Sequence, residues 1–151
     1  MRRLAVGLLL AAALAGCGGS KRTTPPEYAY LTAVHVTGSS VRFEFESEPA
    51  QVRARYEPRS QLSECGSGRS VPLHGAAFVV VHFQPAASAE IKGEKVVPTY
   101  TGPKRLPGPG PVLEVVKTCD FEADLGWAIG VERRLPLHVS QDGSTVTVSF
   151  D

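Results

Sequence analysis

The sequence predicts an all-β fold, a single β-sandwich of about eight short strands, and three observations predict it. Apolar residues recur at every second position in segment after segment, which is strand geometry because successive side chains leave opposite faces. Turn residues punctuate these segments at short intervals. No stretch of eleven residues after Cys17 carries a helical period. The longest alternating stretch is Cys119–Val131, with Cys119, Phe121, Ala123, Leu125, Trp127, Ile129 and Val131 in one row. That row is expected to face the core, with Asp120, Glu122, Asp124, Gly126, Ala128 and Gly130 on the solvent side. Thirteen residues exceed the usual ~3–10 of a strand, so a bulge or break is expected near Asp124–Gly126.

The first 16 residues read as a signal peptide. Met1-Arg2-Arg3 is a charged start, and Leu4–Leu14 is apolar throughout. As a helix that run would reach about 16 Å, half of the ~30 Å hydrocarbon core, so it is an export signal rather than a membrane span. Leu14-Ala15-Gly16-Cys17 is similar to the lipobox of bacterial lipoproteins. The resemblance implies that Cys17 is lipidated and becomes the mature N-terminus, which fixes the protein to the extracytoplasmic face of the cell membrane. Residues 17–27 form a polar tether rich in Gly and Pro. Without Arg2 and Arg3, 14 basic residues stand against 15 acidic ones, a formal charge of −1. Such a balance does not make a nucleic-acid footprint.

The predicted domain runs from 28 to 151. Tyr30–Thr37 reads as a strand and Gly38-Ser39-Ser40 as a turn. Val41, Phe43 and Phe45 alternate with Arg42, Glu44 and Glu46, and Pro49 breaks the run. Gln51–Tyr56 is read as the return strand, with outward Arg53 and Arg55 facing Glu44 and Glu46 across the pair. Pro58–Ser70 is a polar loop holding Cys65, and Val71-Pro72-Leu73 a short edge piece. Ala76–Gln84 is apolar on both parities, as in a strand covered on both faces. Pro85–Glu94 carries no clear pattern, and Val96–Tyr100 is extended. Gly102–Pro111 has four prolines and is expected to be an exposed irregular loop. Leu135–Val139 and Ser144–Phe150 are joined through the hairpin signal Asp142-Gly143.

Lipidation would use Cys17, leaving Cys65 and Cys119 as a disulfide pair in an exported chain. The alternatives are free thiols or a metal pair, but neither Cys has a His at zinc-ligand spacing. His35, His74, His82 and His138 share no metal spacing either. Asp120, Glu122 and Asp124 stand at i, i+2, i+4, yet an EF-hand loop begun at Asp120 has Leu125 and Val131 where it needs Gly and Glu. No metal and no cofactor is therefore assigned. No nucleophile elbow or other catalytic constellation is present in the sequence, so no catalytic residue is assigned and the chain is not expected to be an enzyme.

Val41–Phe45, Val52–Tyr56, Gly66–Gly75, Pro98–Leu106 and Cys119–Val131, taken in that order, resemble the AMIN-like domain, which occurs in lipoproteins and secreted proteins of high-GC Gram-positive bacteria. The resemblance covers Tyr30 to Asp151. The last strand departs from the family's Pro-Arg-Leu-Val-Val-Asp ending, so the Arg of that ending has no counterpart here. Related AMIN domains are β-sandwiches on cell-wall amidases and secretion pores. The resemblance thus implies a non-catalytic envelope module that binds peptidoglycan or another wall glycan. A second reading is a lipoprotein that docks an envelope protein. Glycan binding needs an exposed aromatic and forked donors, and the residues expected to supply them are Arg69, Tyr100, Lys104 and Arg105. Trp127 is expected in the core.

Overall fold

Alternation of apolar and polar side chains builds two facing sheets in the computed structural model, which describes residues 27–151. The expected signal peptide and the expected lipidation site Cys17 lie outside the described residues. The strands are β1 (Ala29–Val36), β2 (Ser40–Phe45), β3 (Gln51–Glu57), β4 (Ala77–Gln84), β5 (Ala86–Ala87), β6 (Ala89–Lys92), β7 (Lys95–Pro98), β8 (Arg105–Pro107), β9 (Val112–Phe121), β10 (Asp124–Val131), β11 (Leu137–Asp142) and β12 (Thr145–Phe150). The first sheet has the order β11-β12-β2-β1-β5, and the second the order β3-β4-β10-β9-β8. β6 and β7 form a separate hairpin. The all-β sandwich is as expected, with additional short strands where the sequence carried little pattern.

Between the sheets lie Trp127, Phe43, Phe83, Leu31, Ile129 and Phe150, each at most 2 % exposed. Phe43 meets Phe83 at 5.0 Å and Trp127 at 6.0 Å between ring centroids, at the tilted angles aromatic quadrupoles prefer. Val41, Phe43 and Phe45 supply this interior from β2, and Val146, Val148 and Phe150 from β12.

The outer face of the second sheet carries a smaller apolar cluster. Phe78, Val116 and Ala128 of the sheet are covered by Leu62, Val71 and Leu73 of the segment between β3 and β4. The Cys65–Cys119 disulfide, with Cα atoms 5.1 Å apart, fastens that segment to β9. β10 is therefore buried on both faces, which corrects the expectation that Gly126, Ala128 and Gly130 meet solvent. The residues are small because chain lies on them. A Cβ on Gly130 would stand 1.8 Å from the carbonyl oxygen of His74.

Cys119–Val131 is not one strand. It folds back at Glu122 and Ala123, whose φ angles of 48° and 66° make the two-residue, left-handed loop that suits hairpin twist. A register shift follows between Gly126 and Trp127. The irregularity expected near Asp124–Gly126 is thus present as the shift, while the reversal comes two residues earlier. The turn also removes Phe121 from the inward row and leaves it 59 % exposed.

Three further expectations are corrected. β2 and β3 lie in different sheets, so Glu44 and Glu46 do not face Arg53 and Arg55. Glu44 instead meets Arg42 at 3.1 Å and Arg55 pairs with Glu57. The proline-rich segment 102–111 contains β8, an edge strand where proline removes no ladder donor that the sheet needs. Val71–Leu73 is not a strand; Val71 and Leu73 are pins of the outer cluster.

Candidate functional site

The disulfide sets the site. It brings the loop around Cys65 against the end of β9, where a cleft of about 460 Å³ opens, walled by Glu64, Arg69, Lys104, Lys117, Asp120 and Phe121. Two of the expected ligand-binding residues, Arg69 and Lys104, meet here from loops far apart in sequence. β8 places Lys104, whose carbonyl oxygen accepts the Lys117 amide at 2.8 Å. Arg69 forks onto Glu64 Oε2 through Nε at 3.1 Å and Nη2 at 2.9 Å. The Ser67 hydroxyl, first, and then Arg69 hold the Glu64 carboxyl below the usual range.

The floor of the cleft is a closed polar triad. Lys117 Nζ donates to Asp120 Oδ2 at 2.8 Å and to the Ser88 hydroxyl at 2.7 Å. Ser88 in turn donates to Asp120 from its hydroxyl and from its amide. Burial raises the Asp120 pKa, but the bonds from Lys117 and Ser88 outweigh it and leave the group below its ordinary value. A carboxyl depressed in the folded state stabilises the fold above the unfolded value near 4, and the contribution is lost as pH falls through the folded value. Asp120→Asn is therefore expected to flatten the acid side of the stability–pH curve below about pH 4, read by urea unfolding at stepped pH. A curve of unchanged slope would remove Asp120 from the acid response.

Lys104 has no carboxylate within 4.0 Å among the described residues, so its ammonium is available to an incoming acceptor. Phe121 lines the same cleft as a solvent-facing ring. The cleft shares Cys65, Thr118 and Cys119 with a more enclosed groove on β3 and β4, lined by Arg55, His82 and Gln61, and then by Arg53 and Gln84. His82 donates through Nδ1 to Asp124 at 2.8 Å, which leaves Nε2 for the groove. Gly126 keeps the passage low, since a Cβ there would lie 3.1 Å from the Thr118 hydroxyl and 3.3 Å from His82 Cε1. From β9 to β3 the track crosses three strand spacings, about 14 Å.

The other two expected ligand-binding residues are elsewhere. Tyr100 is 8 % exposed, its ring edge-on to Trp127 at 5.7 Å and its hydroxyl donating to the Pro103 carbonyl at 2.8 Å. Burial raises its pKa. It is a core residue, not a stacking platform. Arg105 points away from the cleft and meets Glu114 Oε1 at 2.6 Å and the Pro72 carbonyl at 2.9 Å. Burial pushes the Glu114 carboxyl up, but Arg105 and the His74 amide outweigh it and hold it low. Arg105 is thus committed to clamping the 58–75 segment onto the sheet. Phe121 and Lys117 were not among the expected site residues. The alternation assigned Phe121 to the core, and only the reversal at Glu122–Ala123, which has no Gly or Asn to mark it, releases the ring.

Asp120 and Asp124 are each engaged, the first with Lys117 and Ser88, the second with His82, and they do not converge on a common point with Glu122. Among the described residues no three His, Cys, Asp or Glu side chains are grouped as a metal would need.

The family model of the AMIN-like domain matches residues 20–150. No curated protein and no solved structure matches the chain significantly.

Proposed function

The chain belongs to the AMIN-like domain family, and on that premise we propose that it is a non-catalytic module of the cell envelope that holds peptidoglycan or another wall glycan. It is exported, lipidated on Cys17 and kept on the extracytoplasmic face of the membrane by two acyl chains, which hold where one is marginal. The observation that carries the reading is the cleft in which exposed Phe121 stands with Lys104 and Arg69. An aromatic face stacks on a sugar ring, and the two cations take the carboxylates or hydroxyls around it. The track onto Arg55 and His82 suits a linear polymer better than a single sugar.

Co-sedimentation with purified cell wall tests this. Phe121→Ala combined with Lys104→Ala is expected to weaken retention about tenfold, which is about 1.4 kcal/mol. Arg105→Ala is expected to act on stability and to spare the affinity of the folded fraction. Equal retention of wild type and the Phe121/Lys104 variant would exclude the cleft from glycan binding.

A further inference from the structure

Hairpin β6–β7 is amphipathic the wrong way round for a chain in water. Its register pairs Ala89 with Pro98 and Ile91 with Val96. Partners directly across a ladder share a face, so one side of the hairpin is wholly apolar. The other side carries Glu90, Lys92, Lys95 and Val97. Lys92 is bonded to Glu90 at 2.9 Å. Glu90 and its cross-strand partner Val97 are 31 % and 37 % exposed, about half as exposed as Ile91 and Val96, so the side that carries Glu90 and Val97 is turned toward the sandwich and the Ile91/Val96 side is turned away. Ile91 is 73 % exposed and Val96 70 %, the most exposed large apolar side chains among the described residues. A lone two-stranded hairpin is marginal in water, and β-branched residues left bare on it gain nothing from folding.

The place of the hairpin says what covers it. β5 runs parallel to the start of β1, pairing Ala29 with Ala86 and Tyr30 with Ala87. Ser88 then leads directly into β6, which touches β1. The hairpin and the root of the tether therefore lie side by side. Ten residues separate Cys17 from Tyr28, a span of about 17 Å as a flexible coil and about 35 Å at full stretch. Tyr28 itself is exposed and stacked on Tyr30 at this root, as an aromatic at a lipid boundary would be.

We propose that the apolar face of β6–β7 rests in the outer surface of the lipid bilayer, as a second membrane contact beside the anchor. The proposal rests on the lipidation of Cys17 given above. Glu90, Lys92, Glu94 and Lys95 sum to zero charge, so the contact is apolar and does not depend on anionic headgroups. Lysine stems flank the tip and keep their ammonium groups at the water boundary.

The lipidated chain in phosphatidylethanolamine/phosphatidylglycerol vesicles, with or without brominated acyl chains, provides the test. Native Trp127 is buried and serves as the unquenched internal standard. Ile91→Trp and, independently, Val96→Trp are expected to lose at least half of their added emission to bromine. Val97→Trp, on the charged face, is expected to lose much less. Halving the phosphatidylglycerol content is expected to change none of these values. Flotation of the protein with vesicles and no quenching at positions 91 or 96 overturns the hairpin contact and leaves the anchor standing. Cross-linking of two hairpins in place of quenching assigns the face to a second copy and overturns it equally. Equal quenching at all three positions overturns the assignment of faces. Failure of the wild-type protein to float overturns the anchor and this contact together.

Discussion

Removal of the disulfide with Cys65→Ala and Cys119→Ala together is expected to lower stability by about 4 kcal/mol. The bridge closes a loop with a sequence separation of 54 residues, and the chain-entropy model assigns about that much to the order it removes from the unfolded chain. The folded state loses something as well. Leu62, Val71 and Leu73 cover Phe78, Val116 and Ala128 only while the 58–75 segment is held down. Its remaining ties to the sheet are the Cys65 amide on the Thr118 carbonyl at 3.0 Å, the Arg105 bond to the Pro72 carbonyl at 2.9 Å and the His74 amide on the Glu114 carboxylate at 3.0 Å. Urea unfolding should show a lower midpoint, with a larger m-value if the bridge also keeps the unfolded chain compact. A loss under about 1 kcal/mol would mean that these ties hold the segment without the sulfurs. Wall retention should fall in the same variant, since Arg69 and Lys104 stand on opposite sides of the bridge.

Trp127→Ala is expected to cost about 3–5 kcal/mol, while Trp127→Phe should cost far less. Trp127 is fully buried among Phe43, Ile129 and Tyr100 at the centre of the sandwich, so truncation leaves a cavity lined by stiff aromatic walls. Aromatic walls collapse poorly, which puts the loss at the upper end of the range. Its indole N–H has no hydrogen-bond partner among the described residues, and a buried donor without one is a standing penalty of about 1–3 kcal/mol. Phenylalanine deletes that donor along with part of the ring, and the two changes oppose each other. Thermal or urea unfolding of the pair decides it: equal losses for Ala and Phe would mean that the cavity left by the ring is not the source of the loss.

The parts legible in the sequence were those that depend on period two and on turn chemistry. β2, β3 and β12 stand where alternation placed them, β4 stands where a run apolar on both parities placed it, and Asp142-Gly143 makes the expected hairpin, with Gly143 at φ 54°. The cysteine pair followed from counting. What stayed hidden depended on who lies against whom. Gly126, Ala128 and Gly130 read as a solvent face because small residues are ambiguous: they mark either exposure or close approach, and only the return of the 58–75 segment decides. Tyr100 and Lys104 looked alike as neighbours on a Pro/Gly loop, but the Tyr100 ring turns back under the chain to Trp127 while Lys104 stays out. The four apolar residues of the β6–β7 face alternate as any half-buried strand would, and the sequence carries no sign that nothing among the described residues covers Ile91 and Val96.

Ser88 joins two parts of the molecule that would otherwise be unrelated. It closes the Lys117–Asp120 arrangement, and it is the residue immediately before β6. If the hairpin lies in the headgroup layer as proposed, the Ser88–Asp120 bond would hold the mouth that contains Phe121 close to it. Material gripped there would come from the innermost stratum of the envelope, and the protein would hold that stratum down against the membrane rather than reach outward through it.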